Sequence, residues 1–217
     1  MEKKTVLEAL KTLRESQKKR NFSQSADLIV NLRDLDLKKP EEQVDIFAVL
    51  HHHTGKKKKI CALVGPELMD EAKANCDKAI MVDDFDTYAK DKKLTKNLAR
   101  QFDFFIAQAN IMPKVAAAFG KILGSRGRMP NPKAGCVVPP KTALKPLYEK
   151  LQNTTRISAK LSPMIQVFVG KDTLKDEEIA DNIIDIVTQL EAKLPKGKNN
   201  IRNAFVKFTM SKAEKLV

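Results

Sequence analysis

Residues 124–135 hold the densest group of side chains that could do chemistry in this chain of 217 residues. They read Gly-Ser-Arg-Gly-Arg-Met-Pro-Asn-Pro-Lys-Ala-Gly, and the glycines and prolines exclude a regular helix or strand. Glycine lets a ligand approach the backbone closely, and Arg126, Arg128 and Lys133 suit phosphate groups. The spacing matches neither GxxxxGKS/T nor GxGxxG, so a nucleotide site is the weaker interpretation. We predict a structured surface loop that contacts RNA or protein.

Other reactive residues are arranged poorly for catalysis or metal binding. The three adjacent histidines, 51–53, would point to alternate sides of an extended segment and not converge on one ion. The acidic run at 83–86 lacks the glycine and distal glutamate of an EF-hand and fits the start of a helix. The sequence has no GxSxG for a serine nucleophile and no CxxC for zinc. We therefore predict no enzyme activity, cofactor or metal, and reduced or buried thiols at Cys61, Cys76 and Cys136.

The charge of the chain predicts a polyanionic partner. Forty Lys and Arg residues against 27 Asp and Glu give a net charge of +13. Nucleic acid is the favoured partner because phosphate contacts release counterions, whereas an anionic membrane surface fits less well. No apolar run is long enough for a membrane helix, so we expect a soluble intracellular protein. The absence of a long basic tail indicates recognition of a shaped nucleic acid by clusters at 18–20, 38–39, 56–59, 90–96, 126–133 and 196–202.

Hydrophobic periodicity divides the elements that must position these groups into two styles. The ends of the chain predict helices over 5–19 and 175–194, with strands over 26–32, 44–50, 156–161, 165–169 and 201–210. The middle predicts strands over 60–64, 79–82 and 103–107 alternating with helices over 67–75, 85–100 and 112–123. Such alternation indicates βαβ units and a parallel sheet.

The predicted fold is therefore α+β with two domains. Residues 1–53 and 156–217 form a discontinuous α/β domain from the terminal segments. Residues 54–155 are expected to form an inserted domain of βαβ units, with the two crossings acting as a hinge.

Several motifs spread over nearly the whole chain resemble one family. They are the 124–135 loop, Asn-Phe-Ser-Gln-Ser at 21–25, Asp-Leu-Lys-Lys-Pro at 36–40, the 50–56 boundary, Val-Gly at 169–170, Ala-Asp-Asn-Ile at 180–183 and Lys-Phe-Thr-Met at 207–210. On these the chain is identified as a member of the ribosomal protein L1 family, of archaeal type. The family forms the mobile lateral stalk of the large ribosomal subunit beside the tRNA exit site.

The resemblance implies a function without catalysis. The terminal-segment domain would bind large-subunit rRNA directly. The inserted domain would be Rossmann-like, and it would swing and assist release of deacylated tRNA from the exit site. The protein would repress translation by binding its own mRNA. We expect a ribosomal location in the cytoplasm, no membrane contact and a monomer when free.

The resemblance also implies which residues contact RNA. In the family, contacts come from the turn before the first strand, the end of the last strand, and the strand after re-entry into the first domain. Matching positions here are Asn21, Phe22, Ser23, Gln24, Ser25, Lys160, Lys207, Thr209, Met210, Ser211 and Lys212. Hydroxyl and amide groups can bond the 2′-hydroxyls that distinguish RNA from DNA. Ser211, His53 and Thr155 stand where the family usually has glycine.

Two other classes of function stay open at this point. An enzyme would use the Rossmann-like domain and the 124–135 loop, and it would reveal itself by nucleotide binding or turnover. A nonspecific nucleic-acid condenser would bind RNA and DNA alike.

Overall fold

The structure, a computed structural model, describes residues 2–16, 18 and 20–216, which form two compact units. The terminal unit contains the residues up to Lys56 and from Asn153 onward, and the inserted unit contains Lys57–Gln152. The elements in chain order are α1 (Lys3–Ser16), β1 (Ser25–Leu32), β2 (Val44–Val49), β3 (Ile60–Val64), α2 (Met69–Asn75), β4 (Lys78–Met81), α3 (Phe85–Lys90), α4 (Lys92–Gln101), β5 (Phe104–Gln108), α5 (Met112–Ser125), β6 (Val137–Val138), α6 (Leu144–Asn153), β7 (Thr154–Ala159), β8 (Met164–Lys171), α7 (Asp176–Lys193), β9 (Ile201–Phe208) and β10 (Glu214–Lys215).

The terminal unit is built on an antiparallel sheet with strand order β10-β9-β1-β8. Alternation along β1 buries Ala26, Leu28, Val30 and Leu32, as the sequence predicts. These side chains share one core with the apolar faces of α1 and α7. The opposite sheet face is left uncovered by the two helices, and β2 and β7 pair as a separate two-stranded sheet.

The inserted unit contains the parallel sheet that the sequence predicts. Its strand order is β4-β3-β5-β6, and every neighbouring pair is parallel. All five residues of β3 are buried, which is typical of a strand covered by helices on both faces. The rings of Phe85 and Phe119 meet edge to face at 5.2 Å between centroids and join α3 to α5 in the core.

Several predicted boundaries differ from the structure for local reasons. The helix expected over 85–100 is two helices, because Asp91 adopts an extended conformation and its carboxylate accepts hydrogen bonds from the N–H groups of Lys93 (2.8 Å) and Leu94 (3.2 Å). The first helix ends at Ser16, and Lys19 of its predicted range lies outside the described residues. The last long strand ends at Phe208 instead of residue 210, and the sequence predicted neither α6 nor the short strands β6 and β10.

The borders of the units lie three residues from those drawn on the sequence. Thr154 and Thr155, expected in the inserted domain, pair with Val49 and Ala48 in the β2–β7 ladder. At the other crossing, the N–H of Lys171 donates to the carbonyl oxygen of Thr54 at 3.1 Å. The strand pairing places Thr154 and Thr155 in the terminal unit, and the hydrogen bond from Lys171 places Thr54 there. Within the described part of the chain, no helix is long and apolar enough to cross a membrane.

The histidine run is attached to α7 by hydrogen bonds and ion pairs. The backbone N–H of His51 donates to Asp185 Oδ2 at 3.0 Å, and the ring Nδ1 of His51 contacts the same carboxylate. The N–H of His52 donates to Asn182 Oδ1 at 3.1 Å, while its Nε2 lies 3.5 Å from Asp181 Oδ2. The hydrogen bond to Asp185 raises the pKa of His51.

This contact should make the stability of the terminal unit depend on pH. Because the pKa of His51 is higher in the folded chain, its stabilisation is complete below the unfolded value of about 6.5 and is lost as pH rises through the folded value. We expect Asp185→Asn to lower the melting temperature more at pH 5.5 than at pH 9, because Asn keeps the acceptor but not the charge. Thermal unfolding at both values tests this, and an equal difference at both would contradict it.

Candidate RNA-binding surface

The segment before β1 and the end of β9 lie side by side. Ala26 pairs with Phe208, and beyond that pair the N–H of Ser25 donates to Thr209 Oγ1 at 3.0 Å. The N–H of Met210 donates to Gln24 Oε1 at 3.1 Å. Two of the three segments named from the sequence therefore form one continuous surface, which we call the strand-end surface (residues 21–25 and 209–212).

Large apolar side chains are exposed on the strand-end surface. Phe22 is 52% exposed and Met210 is 59% exposed, although most side chains of this kind in the chain are in the core. Asn21, Ser23, Thr209 and Lys212 are also exposed, and they add amide, hydroxyl and ammonium groups. Gln24 is different because it is only 3% exposed. Its side chain connects the two segments from behind the surface.

A polar network not found from the sequence holds this surface in place. Ser23 Oγ donates to Asp172 Oδ1 at 2.7 Å, and the N–H of Asp172 donates to the carbonyl oxygen of Gln24 at 2.9 Å. The guanidinium of Arg14 donates to the carbonyl oxygens of Asp172 (2.9 Å) and Leu174 (2.8 Å). Arg14 also pairs with Asp176, and its Cζ lies 5.7 Å from the centre of the Phe208 ring.

Ser211 holds the turn after β9 through hydrogen bonds. Ser211 Oγ accepts a hydrogen bond from the N–H of Phe208 at 2.8 Å, and the N–H of Ser211 donates to the carbonyl oxygen of Phe208 at 3.1 Å. The side chain is only partly exposed. Ser211 thereby fixes the turn that presents Thr209 and Met210.

The uncovered face of the sheet continues from this surface. Lys207 lies opposite Asp27, and Asn31 donates through Nδ2 to Asn203 Oδ1 at 2.6 Å. Burial raises the pKa of the Asp27 carboxyl, and the charge of Lys207 opposes this effect. Asp27 and Asn31 are half-buried and alternate along β1 with the buried core residues. Amide and ammonium groups on this face can bond ribose or phosphate oxygens.

Lys160 lies apart from the other candidates. It follows β7, and its Nζ is 2.7 Å from Asp45 Oδ2, a carboxylate that Arg156 also holds at 2.9 Å through Nε. Burial alone would raise the pKa of Asp45, but the hydrogen bonds from Arg156 and Lys160 outweigh it and lower the pKa. The next strand after Lys160 is β8, and its first residue, Met164, pairs with Asn31. At roughly 3.3 Å per residue, Asn31 lies about 20 Å along β1 from Ser25, which belongs to the strand-end surface.

The glycine-rich loop of the inserted unit holds its three basic residues in different environments. Arg126 and Lys133 are exposed, with the N–H of Lys133 donating to Asn131 Oδ1 at 2.9 Å. The guanidinium of Arg128 instead donates to the carbonyl oxygens of Ala99 (2.8 Å) and Phe102 at the end of α4. Gly127 and Gly135 have positive φ angles of 63° and 75°, which favour glycine.

The place where a Rossmann-like sheet usually binds a ligand is occupied by side chains. In the strand order β4-β3-β5-β6, that place is the crevice at the carboxyl ends of β3 and β5. Gln108, 1% exposed, accepts from the N–H of Gly65 at 2.9 Å and donates through Nε2 to Glu67 Oε2 at 3.2 Å. A phosphate there would have to displace the amide of Gln108 and lie beside the carboxylate of Glu67.

The cysteines are poor nucleophiles. Burial raises the pKa of Cys61 to about 12 and those of Cys76 and Cys136 to about 11. At neutral pH these thiols are protonated and unreactive.

Comparisons with known proteins agree on one family. Residues 13–212 match the model described as the ribosomal protein L1p/L10e family. The chain is 44% identical over 206 residues to a protein named large ribosomal subunit protein uL1 from Methanobrevibacter smithii, covering 94% of this chain and 95% of that protein. Proteins of the same name from Methanothermococcus thermolithotrophicus and Methanocaldococcus jannaschii are 39% and 37% identical. Those alignments cover 97% and 100% of this chain, and 96% of each relative.

Proposed function

Because the chain belongs to the ribosomal protein L1p/L10e family, we propose that its strand-end surface is the part that binds large-subunit rRNA. The protein is a constituent of the large ribosomal subunit, and its relatives carry that name. The observation that carries the proposal is the exposure of Phe22 and Met210 on two chain segments hydrogen-bonded to each other. Elsewhere in the terminal unit such side chains mostly belong to the core.

The chemistry of this surface suits a folded RNA. A ribose or an unstacked base can pack on Phe22, and hydroxyl and amide groups beside it can bond 2′-hydroxyls. Lys207 and Lys212 supply positive charge for phosphates, within a chain whose net charge is +13. Because the segments are tied together by Gln24, Thr209 and Asp172, these groups are arranged before RNA binds.

Equilibrium binding at two salt concentrations tests this proposal. The ligands are a structured large-subunit rRNA fragment, an unrelated RNA hairpin and duplex DNA. We expect tight binding of the rRNA fragment that persists at the higher salt, with loss of the other two. Equal, salt-sensitive binding of all three would show a nonspecific nucleic-acid condenser instead.

We propose that the inserted unit contacts deacylated tRNA at the exit site and assists its release as part of the mobile stalk. The exposed side chains of Arg126 and Lys133 support this role by their charge. The guanidinium of Arg128 instead donates hydrogen bonds to carbonyl oxygens at the end of α4. Crosslinking of tRNA to Lys133 in assembled ribosomes would test the contact. No crosslink at Lys133 in the unmodified protein, or a normal rate of tRNA release in a Lys133→Glu variant, would contradict it.

We also propose that the strand-end surface binds a structure in the protein's own mRNA and represses translation. The support is that one preformed surface can accept any RNA with the shape of the rRNA site. The leader of this mRNA should compete with the rRNA fragment in the binding assay, and Phe22→Ala should weaken both. Leader binding that survives Phe22→Ala would place repression on another surface.

The enzyme alternative is disfavoured by the inserted unit. Gln108 and Glu67 fill the crevice where a Rossmann-like domain would hold a nucleotide phosphate. The homologous proteins are structural parts of the ribosome, so we propose that this chain has no catalytic activity of its own.

A further inference from the structure

A groove with a mostly apolar floor and lysines on both sides lies on the inserted unit. Ser125 is the part of the 124–135 loop that lines it. The groove is about 530 Å³ in volume and runs between α5 on one side and α3 and α4 on the other. Most of its lining, which we call the floor, consists of small or apolar side chains. Two lysines stand on α4 and one on α5; the full lining is Tyr88, Ala89, Lys92, Lys96, Ala117, Ala118, Lys121, Ile122 and Ser125.

The lysines of the groove have no carboxylate partner from their own helices. The sequences of α4 and α5 contain no Asp or Glu. Among the ion pairs of residues 2–16, 18 and 20–216, none involves Lys92, Lys96 or Lys121. The nearby carboxylates of Asp83 and Asp86 line a second, neighbouring pocket, which shares Ala89 and Ala117 with the groove. Positive charge therefore flanks a mostly apolar floor from both sides, on α4 and on α5.

We propose that this groove binds an acidic amphipathic helix of a partner protein. Small side chains at Ala89, Ala117 and Ala118 let another helix approach closely, and Ile122 and Tyr88 give its apolar face a surface to bury. Acidic residues flanking that face would pair with Lys92, Lys96 and Lys121. This surface is separate from the strand-end surface and its function goes beyond RNA binding.

An acidic helix suits the groove better than an RNA strand does. A ribose–phosphate chain would bring charged oxygens over Ala117, Ala118 and Ile122, whose side chains offer them no hydrogen-bond donor. An amphipathic helix matches both parts of the groove, because its apolar side chains bury on the floor while its carboxylates reach the lysines. The positive charge of Lys92, Lys96 and Lys121 favours an acidic partner over a neutral or basic one.

Fluorescence anisotropy with a designed peptide and the full chain tests the proposal. The probe is a labelled helical peptide of roughly 16 residues, with leucines along one face and glutamates elsewhere. A scrambled peptide of the same composition and a single-stranded oligouridylate of equal charge are the comparison ligands. We expect the patterned peptide to bind about tenfold or more tightly than the scrambled one.

Variants then separate the groove from general attraction between charges. Lys96→Glu together with Lys121→Glu should reduce peptide affinity about tenfold or more. Ala117→Trp, at an exposed helix position, should do the same by filling the groove without changing the charge. Lys73→Glu together with Lys93→Glu is the matched control, because it makes the same change of charge at exposed positions outside the groove lining and should have little effect. Circular dichroism and thermal unfolding verify that each variant is folded.

Three results would overturn the proposal. The first is equal binding of the scrambled and patterned peptides. The second is normal peptide binding by Ala117→Trp, which would reduce the groove to a charged surface. The third is binding of the oligouridylate that competes with the peptide and has the same dependence on Lys96 and Lys121, which would assign the groove to RNA. Each result is independent of rRNA binding by the strand-end surface.

Discussion

Replacing Phe22 by alanine should lower the affinity for the rRNA fragment about 5- to 150-fold and leave thermal stability nearly unchanged. The side chain is 52% exposed, so its removal leaves no cavity in the core. Stacking of a base on an aromatic ring contributes about 1–3 kcal/mol, which gives the expected range. Filter binding or anisotropy at constant salt measures the affinity, and a thermal melt measures the stability.

Two controls make the Phe22 result specific. Val49→Ala removes another exposed apolar side chain (41%) of the same unit, on β2 and outside residues 21–25 and 209–212. It should bind RNA like the unmodified protein. Phe22→Tyr keeps an aromatic ring and should retain most of the affinity. A fall in melting temperature that parallels the loss of binding would show that Phe22 is a packing residue.

The elements of the fold were predictable wherever one local pattern determines them. Alternating burial in β1 and the apolar stripe of α7 are direct consequences of strand and helix periodicity. The break at Asp91 was not predicted, because a single N-cap residue inside a continuous helical pattern divides one expected helix into two. Helix α6 was missed although its buried Leu144 and Leu151 have helical spacing, and Pro146 is tolerated because it lies in the first turn.

The candidate site was predictable only in part, because its geometry depends on distant segments. Residues 21–25 and 209–212 could be named from the resemblance, but nothing local reveals that Gln24 is buried behind the surface. The same holds for Arg14 and Asp172, which are 158 positions apart and meet through a hydrogen bond. Arg14 in the last turn of a helix has an ordinary explanation in the helix dipole, so its sequence gives no signal of this contact.

The polar network behind the surface explains how exposed residues can be held rigidly. Phe22 and Met210 gain no order from core packing, since both side chains are mostly in solvent. Their backbones are instead fixed by Gln24, Thr209 and Ser211, and the Ser23–Asp172 contact connects the loop to the turn before α7. Arg14 contacts both parts of that connection, so we expect it to position the residues of the proposed RNA-binding surface.

Arg14→Ala should destabilise the terminal unit and weaken RNA binding without changing its salt dependence. The guanidinium holds two backbone carbonyls and Asp176 and lies over the Phe208 ring. Discounting for its partial exposure, we expect a loss of about 2 kcal/mol and a fall in melting temperature of about 5–10 °C. The rRNA affinity should drop about tenfold, because a loosened surface loses preorganisation.

The salt dependence of the weakened RNA binding distinguishes a positioning role of Arg14 from direct contact with RNA. Because Arg14 neutralises no phosphate in this proposal, the slope of log affinity against log salt should match that of the unmodified protein, whereas Lys212→Ala should reduce it by about one. Arg14→Lys keeps the charge but cannot hold several acceptors in a fixed fork, so it should resemble Arg14→Ala. Lys11→Ala, exposed on the same helix, is the matched control and should alter neither quantity. Full RNA affinity in Arg14→Lys, or a reduced salt slope in Arg14→Ala, would mean that the charge of Arg14 acts on RNA directly.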